Sequence, residues 1–181
     1  MNSRTASGRL LWPSLLVASL LLPLLAGCAG RPTADDPVTI AAWWMEDRAR
    51  GIARRSDELR LLPPDPGLER LAGWVDGDVP QLTARARRWP QLTALFATGE
   101  IVAADGRFSG LVAPRPEPSG SLPADAAAVA DAENHDRRLL DALARSRLGV
   151  AEQIARWNAV IADIRRKQDL AAGATTWTPG N

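Results

Sequence analysis

Cysteine and histidine are almost missing from this 181-residue sequence, which holds one of each, Cys28 and His135. A lone thiol excludes an intramolecular disulfide, and a lone imidazole excludes a metal site built on two histidines of one chain. Tyrosine is absent altogether. No uninterrupted apolar run reaches the roughly 20 residues that a membrane-spanning helix needs, because the run from Leu10 to Leu25 is broken by Pro13 and Pro23. Nor is there a surplus of one charge, the formal net being +1. That near-neutral balance argues against nucleic acid or an anionic membrane surface as the main partner, both of which demand clustered positive charge. The run Arg85, Arg87, Arg88 reads as a solvated helix face. No glycine-rich phosphate loop follows a strand, and no carboxylate pair stands out from ordinary surface acids. His135, flanked by Asn134 and Asp136, is a candidate general base only in isolation, and a solvated helix position is the better reading. The chain is therefore expected not to be an enzyme and to need no cofactor.

What is present begins with Arg4 and Arg9, followed by the apolar run and then small residues ahead of the single cysteine. A basic opening, a short apolar stretch and small residues describe an export signal over residues 1–27. The residues Leu25-Ala26-Gly27-Cys28 resemble the lipobox of bacterial lipoproteins. That resemblance implies acylation of the Cys28 thiol, cleavage just before it and acylation of the new amino group. Several acyl chains hold a protein at a bilayer where one would not. Ala29, where lipoproteins retained at the inner membrane often carry aspartate, implies the periplasmic side of the outer membrane. Removal of the signal takes away two arginines and no acid, so the mature chain carries a net charge of −1.

Beyond a tether over 28–36, the spacing predicts a mainly α protein: a small helical bundle with one short β-hairpin. Residues 37–78 form an N-terminal helical segment. Its first helix is expected from Pro37 to Leu59, capped by Asp36, with Val38, Ala42, Met45, Ala49 and Ile52 as the buried stripe. Leu68, Leu71, Ala72 and Val75 repeat the helical spacing, and Gly77 is expected to provide a left-handed stop. Residues 79–181 form a second helical unit. Leu82, Ala86, Trp89, Leu92, Leu95 and Phe96 are periodic, with Pro90 expected to kink or divide the helix. A hairpin is expected over 99–112, from Ile101-Val102-Ala103 through Asp105-Gly106 to Phe108–Val112, and a proline-rich linker over 113–123. Val129, Ala132, Leu139, Leu140, Leu143 and Ala144 trace a long helix ending near Gly149. Val150, Ile154, Trp157, Ile161 and Ile164 trace the last one.

From about residue 79 to 177 the sequence resembles the YdbL-like periplasmic family, a domain of unknown function. The resemblance rests on Arg88-Trp89-Pro90-Gln91-Leu92, on Gly99-Glu100-Ile101 through Asp105-Gly106 to Leu111-Val112, on Glu133 through Leu140 with Ala144 and Gly149, and on Ala172-Gly173 followed by Trp177. Leu140 stands where the family usually has an aromatic, the turn reads Ala-Ala-Asp-Gly, and the linker is richer in proline. The resemblance implies an accessory or chaperone-like role beside an AsmA-like protein and a small lipoprotein that bridge the envelope membranes for lipid.

Binding residues are sought among aromatics and helix-face polar groups. Trp43 and Trp44 are adjacent on a helix and cannot both face one core, which makes them the leading candidates for an exposed patch. Asn134 and Arg137 lie three apart on one face, either as a partner contact or as a clamp on the hairpin. The expected function is a lipid-anchored periplasmic binding protein of the cell envelope. The alternatives are a structural envelope lipoprotein without a transport partner and, more remotely, an envelope hydrolase.

Overall fold

Three of the helices open on a proline that follows an extended residue, a position where the missing N–H costs nothing. The computed structural model describes residues 36–53, 64–106, 109–115 and 124–177. Helix α1 spans Pro37–Ala49, with the Asp36 carboxylate accepting from the Thr39 amide at 3.1 Å and from its hydroxyl at 3.0 Å. Helix α2 spans Pro66–Asp76 under an Asp65 cap that accepts from the Gly67 and Leu68 amides. Helix α3 spans Pro80–Thr98 and ends on Gly99, whose φ of 74° a side chain would resist.

Strand β1, Ile101–Ala104, and strand β2, Val112–Pro114, form an antiparallel pair in which Ile101 faces Pro114 and Ala103 faces Val112. The long helices α4, Ala124–Leu148, and α5, Ala151–Ala171, follow. The chain then returns as strand β3, Thr176–Trp177, parallel to β1, so the sheet order is β2-β1-β3. Every residue of the central strand is buried, as expected of a short strand covered on both faces.

The fold is mainly α with this small β element, as the periodicity predicts. Two apolar clusters support it. One joins α1, α2, α4 and α5 around Trp44, Met45, Leu71, Leu140 and Trp157. The other joins the end of α3 and the start of α4 to the sheet around Leu92, Phe96, Ile101 and Ala130.

Several expectations change. The first helix ends at Ala49, not Leu59, and Ile52 is 46 % exposed; residues 54–59 lie outside the described ones, as do the signal, Cys28, the tether up to residue 35, Phe108 and residues 116–123 of the linker. Gly77 is extended, with φ −72° and ψ −174°, because the chain must run straight into Val79 and the Pro80 that restricts it. Pro90 sits inside a single helix. Its position is exposed, and the only carbonyl it deprives belongs to Ala86, which lines an open groove. Ala113 and Pro114 belong to β2, not to the linker, and Trp177 finds its place in a third strand.

One backbone position couples the hairpin loop to α5. Gly110 has φ 82°, and a Cβ built there would stand 2.7 Å from the Ala162 Cα. Gly110→Ala is therefore expected to destabilise the protein by about 2 kcal/mol, from left-handed strain and backbone displacement. Gly106→Ala has φ 64° but open space, and should cost about 1 kcal/mol. Urea denaturation of the two variants checks the difference; equal losses would remove the close approach to α5 as a cause.

Candidate partner-binding site

The helical spacing that places apolar residues inward also places charged ones there. On α4 the buried positions are Ala126, Val129, Ala130, Glu133, Asp136, Arg137, Leu140, Ala144 and Leu148, one continuous helical stripe with no gap longer than four. Arg85 occupies the same kind of position on α3, Glu46 on α1, and Arg165 and Asp169 on α5. Glu46, Glu133, Arg137 and Asp169 are each 1 % exposed, and Arg85 and Arg165 are each 2 % exposed.

These groups form one continuous network. Arg85 donates to both carboxylate oxygens of Glu46, at 3.0 and 2.8 Å, and through its Nε to Glu133 at 2.8 Å. Arg165 donates through Nε to Glu46 at 2.7 Å and through its fork to Asp141 at 2.8 and 2.9 Å. Arg137 donates through Nε to Glu133 and through its fork to Asp169, all at 2.8 Å, and also to the Gly110 carbonyl at 2.9 Å. Arg88 joins Glu133 to Asp136. Four arginines thus meet five carboxylates across α1, α3, α4 and α5. Paired guanidinium forks of this kind suit arginine's planar donor set and fix geometry in a way lysine could not.

Electrostatics follow from burial opposed by neighbours. Burial alone would raise the Glu46 carboxyl, but Arg165 and Arg85 outweigh it and hold it far below the usual carboxylate range. Burial likewise opposes ionisation of Glu133, yet Arg85 and Arg137 lower it to about 2. The Arg85 and Arg137 guanidinia, despite the same burial, are pushed above their ordinary value by Glu133, Glu46 and Asp169. General acid catalysis near neutrality needs a carboxyl shifted upward. Glu46 and Glu133 are shifted the other way, so the network reads as a clamp on four helices.

The sequence-predicted binding residues divide accordingly. Trp44 is inside at 3 % exposure, whereas Trp43 lies half-buried at the edge of the same cluster. The adjacent pair therefore splits between core and surface, and Trp44 is not offered outward. Asn134 accepts from the Val112 amide at 3.0 Å and donates to its carbonyl at 2.7 Å, standing in for a neighbouring strand along β2. Arg137 lies in the interior and reaches Gly110 and Asp169. Both residues clamp the hairpin, so a partner surface on them is corrected to an internal role. His135 is exposed on α4. Cys28 lies outside the described residues.

Among the described residues a groove of about 510 Å³ lies where the ends of α1 and α2 meet the first turns of α3. Ile52, Ala53, Leu82 and Ala86 supply its apolar lining, and Arg48, Arg87, Asp76 and Thr83 its polar rim. Arg48 is held there by a hydrogen bond to the Val75 carbonyl, and Arg50 stacks over Trp89 at 5.8 Å on the same side. Sequence reading missed this groove because it depends on α1 ending at Ala49, where Gly51 turns with φ 78°. Among the described residues no group of three or more histidine, cysteine or acidic side chains is arranged to hold a metal ion.

No protein-family model, no curated protein and no solved structure matches this chain.

The lowered carboxyls set a pH window. Their contribution to stability is complete above the ordinary value of 4.5 and is lost as pH falls toward about 2, the folded value of Glu133. The urea midpoint is expected to drop through that interval. At neutral pH Glu46→Ala should cost about 3–5 kcal/mol, because Arg85 and Arg165 stay buried without their shared partner. Glu152→Ala, which removes an exposed pair with Arg156, should cost under about 1 kcal/mol. Similar losses for the two variants would contradict the clamp.

Proposed function

We propose that this chain is a lipid-anchored accessory protein of the bacterial cell envelope, fixed at a membrane through Cys28 and working by binding another envelope protein. The observation that carries the reading is the placement of the sole cysteine directly after Leu25-Ala26-Gly27, behind a basic opening and a short apolar run. Among the described residues no helix is long and apolar enough to cross a membrane. The buried charged groups are engaged with one another, which leaves recognition to surface relief.

The α1–α2–α3 groove suits a short segment of a partner that brings an apolar side chain to Leu82 and Ile52 and a carboxylate to Arg87. Resemblance to the YdbL-like family supports an AsmA-like lipid-transport protein as that partner. A protein that holds such an assembly at one membrane would need an anchor, a rigid helical body and a docking groove. It would not need a reactive centre.

Mass spectrometry of the mature protein is expected to find Cys28 at the amino terminus bearing acyl chains, and Cys28→Ser to release the protein from membranes. Crosslinking in intact envelopes should enrich an AsmA-like component with the wild-type chain and lose it with Thr83→Trp, which fills the groove. If the acylated chain never captures such a component, the transport role fails, and a purely structural envelope lipoprotein becomes the better account.

A further inference from the structure

Three features converge on one end of the helical body. The α4–α5 turn passes through Leu148, Gly149 and Val150, and Val150 is 53 % exposed at its tip. The start of α2 packs on that turn: a Cβ at Gly67 would stand 2.7 Å from the Leu148 carbonyl, and Gln153 donates to Asp65 at 2.7 Å. The start of α1 arrives on the same side, where Arg156 donates to Asp36 at 2.7 Å. Arg165 meets Glu46 further along both helices, so α1 and α5 run in the same direction away from this end.

Arginine and tryptophan lie on the turns behind the tip. Arg70 donates through Nε to the Arg147 carbonyl at 3.1 Å, and the Arg147 guanidinium lies 4.2 Å over the Trp74 ring. Arg145 lies one residue pair earlier in the last turn of α4 and reaches Asn158 at 3.2 Å. Among the described residues Arg145 and Arg147 pair with no carboxylate, and Arg70 has only the outlying charge of Asp65. The nearby acids are engaged: Asp36 and Glu152 share Arg156, and Asp65 serves Gln153 and its own helix cap. Arginines at the end of α4 also complement the helix dipole, but that role accounts for neither the exposed valine between them nor Arg70 on another helix.

We infer that this tip is the face that rests on the bilayer, with Val150 inserted among the lipids and Arg70, Arg145 and Arg147 on anionic phospholipid headgroups. The inference rests on Cys28 being the lipid anchor. From Cys28 to Asp36 is eight residues, a reach of at most ~29 Å fully extended, and that tether joins the body at this end. The sheet lies along α4 near Ala126 and Ala130, roughly 30 Å away by helix rise. An exposed apolar side chain with arginines and a tryptophan on the turns behind it is the composition that settles at a lipid interface. The acylated anchor holds the chain at the membrane, and the face sets how the body lies on it.

The test uses the full acylated chain in vesicles of phosphatidylcholine, with or without phosphatidylglycerol, some of whose acyl chains carry bromine. With Cys28 acylated, a thiol introduced by Val150→Cys or by Ala97→Cys near the sheet is the only one open to a fluorescent label. Quenching of the Val150 label should exceed that at Ala97 severalfold in anionic vesicles, and should fall when Arg70, Arg145 and Arg147 are all changed to glutamine. Equal quenching at the two positions, or stronger quenching at Ala97, in protein that floats with the vesicles overturns the face while leaving the anchor intact. Failure of the wild-type chain to float, together with labelling of Cys28 itself, overturns the anchor and the face with it.

Discussion

The Glu46 carboxylate is the point at which the helical body is joined. It receives Arg85 from α3 on both oxygens and Arg165 from α5 on one of them, while sitting on α1 itself. Through Arg85 the network continues to Glu133, and through Glu133 to Arg137 and Asp169. An ion pair in a dry interior gives back little more than its desolvation cost. What it supplies is direction: a guanidinium fork accepts one arrangement of carboxylates, whereas leucine against leucine tolerates many. The apolar clusters on either side of the network contribute the bulk of the burial, and the network decides which faces of the four helices meet.

That division explains which parts of the structure were legible from sequence. The start of α1 is plain, because an aspartate before a proline satisfies local hydrogen bonding without reference to the rest of the chain; the same signal at Asp65-Pro66 opens α2 but reads as a break in the sequence. Apolar periodicity likewise located Val129, Leu140, Trp157, Ile161 and Ile164, all of which are buried. The charged core escaped, because Arg85 reads by type as part of a solvated face and the acids as ordinary surface groups. The signal was nevertheless there. Continuing the spacing of three and four from Val129 through Ala130 leads onto Glu133, Asp136 and Arg137 before it reaches Leu140, and the same continuation in α3 leads from Leu82 onto Arg85.

The candidate groove was illegible for another reason. Its walls come from the end of one helix, the end of a second and the beginning of a third, and its opening depends on where α1 stops. No local pattern encodes a boundary of that kind. Trp43 and Trp44 show the opposite case: adjacency on a helix correctly separated their environments, and only the assignment of Trp44 to the surface had to change. Asn134 was ambiguous between a partner contact and a clamp, and its two hydrogen bonds to Val112 decide in favour of the clamp.

The sheet has an order of assembly built into it. Its middle strand, Ile101–Ala104, takes one neighbour from a few residues away and the other from Thr176–Trp177, which follows both long helices. The hairpin half can form early, since its loop is short. The parallel half cannot close until α4 and α5 have folded back and brought the tail alongside. A chain still being synthesised or threaded through a pore therefore exposes one edge of β1 until Thr176–Trp177 is in hand, and the finished sheet certifies that both long helices have arrived.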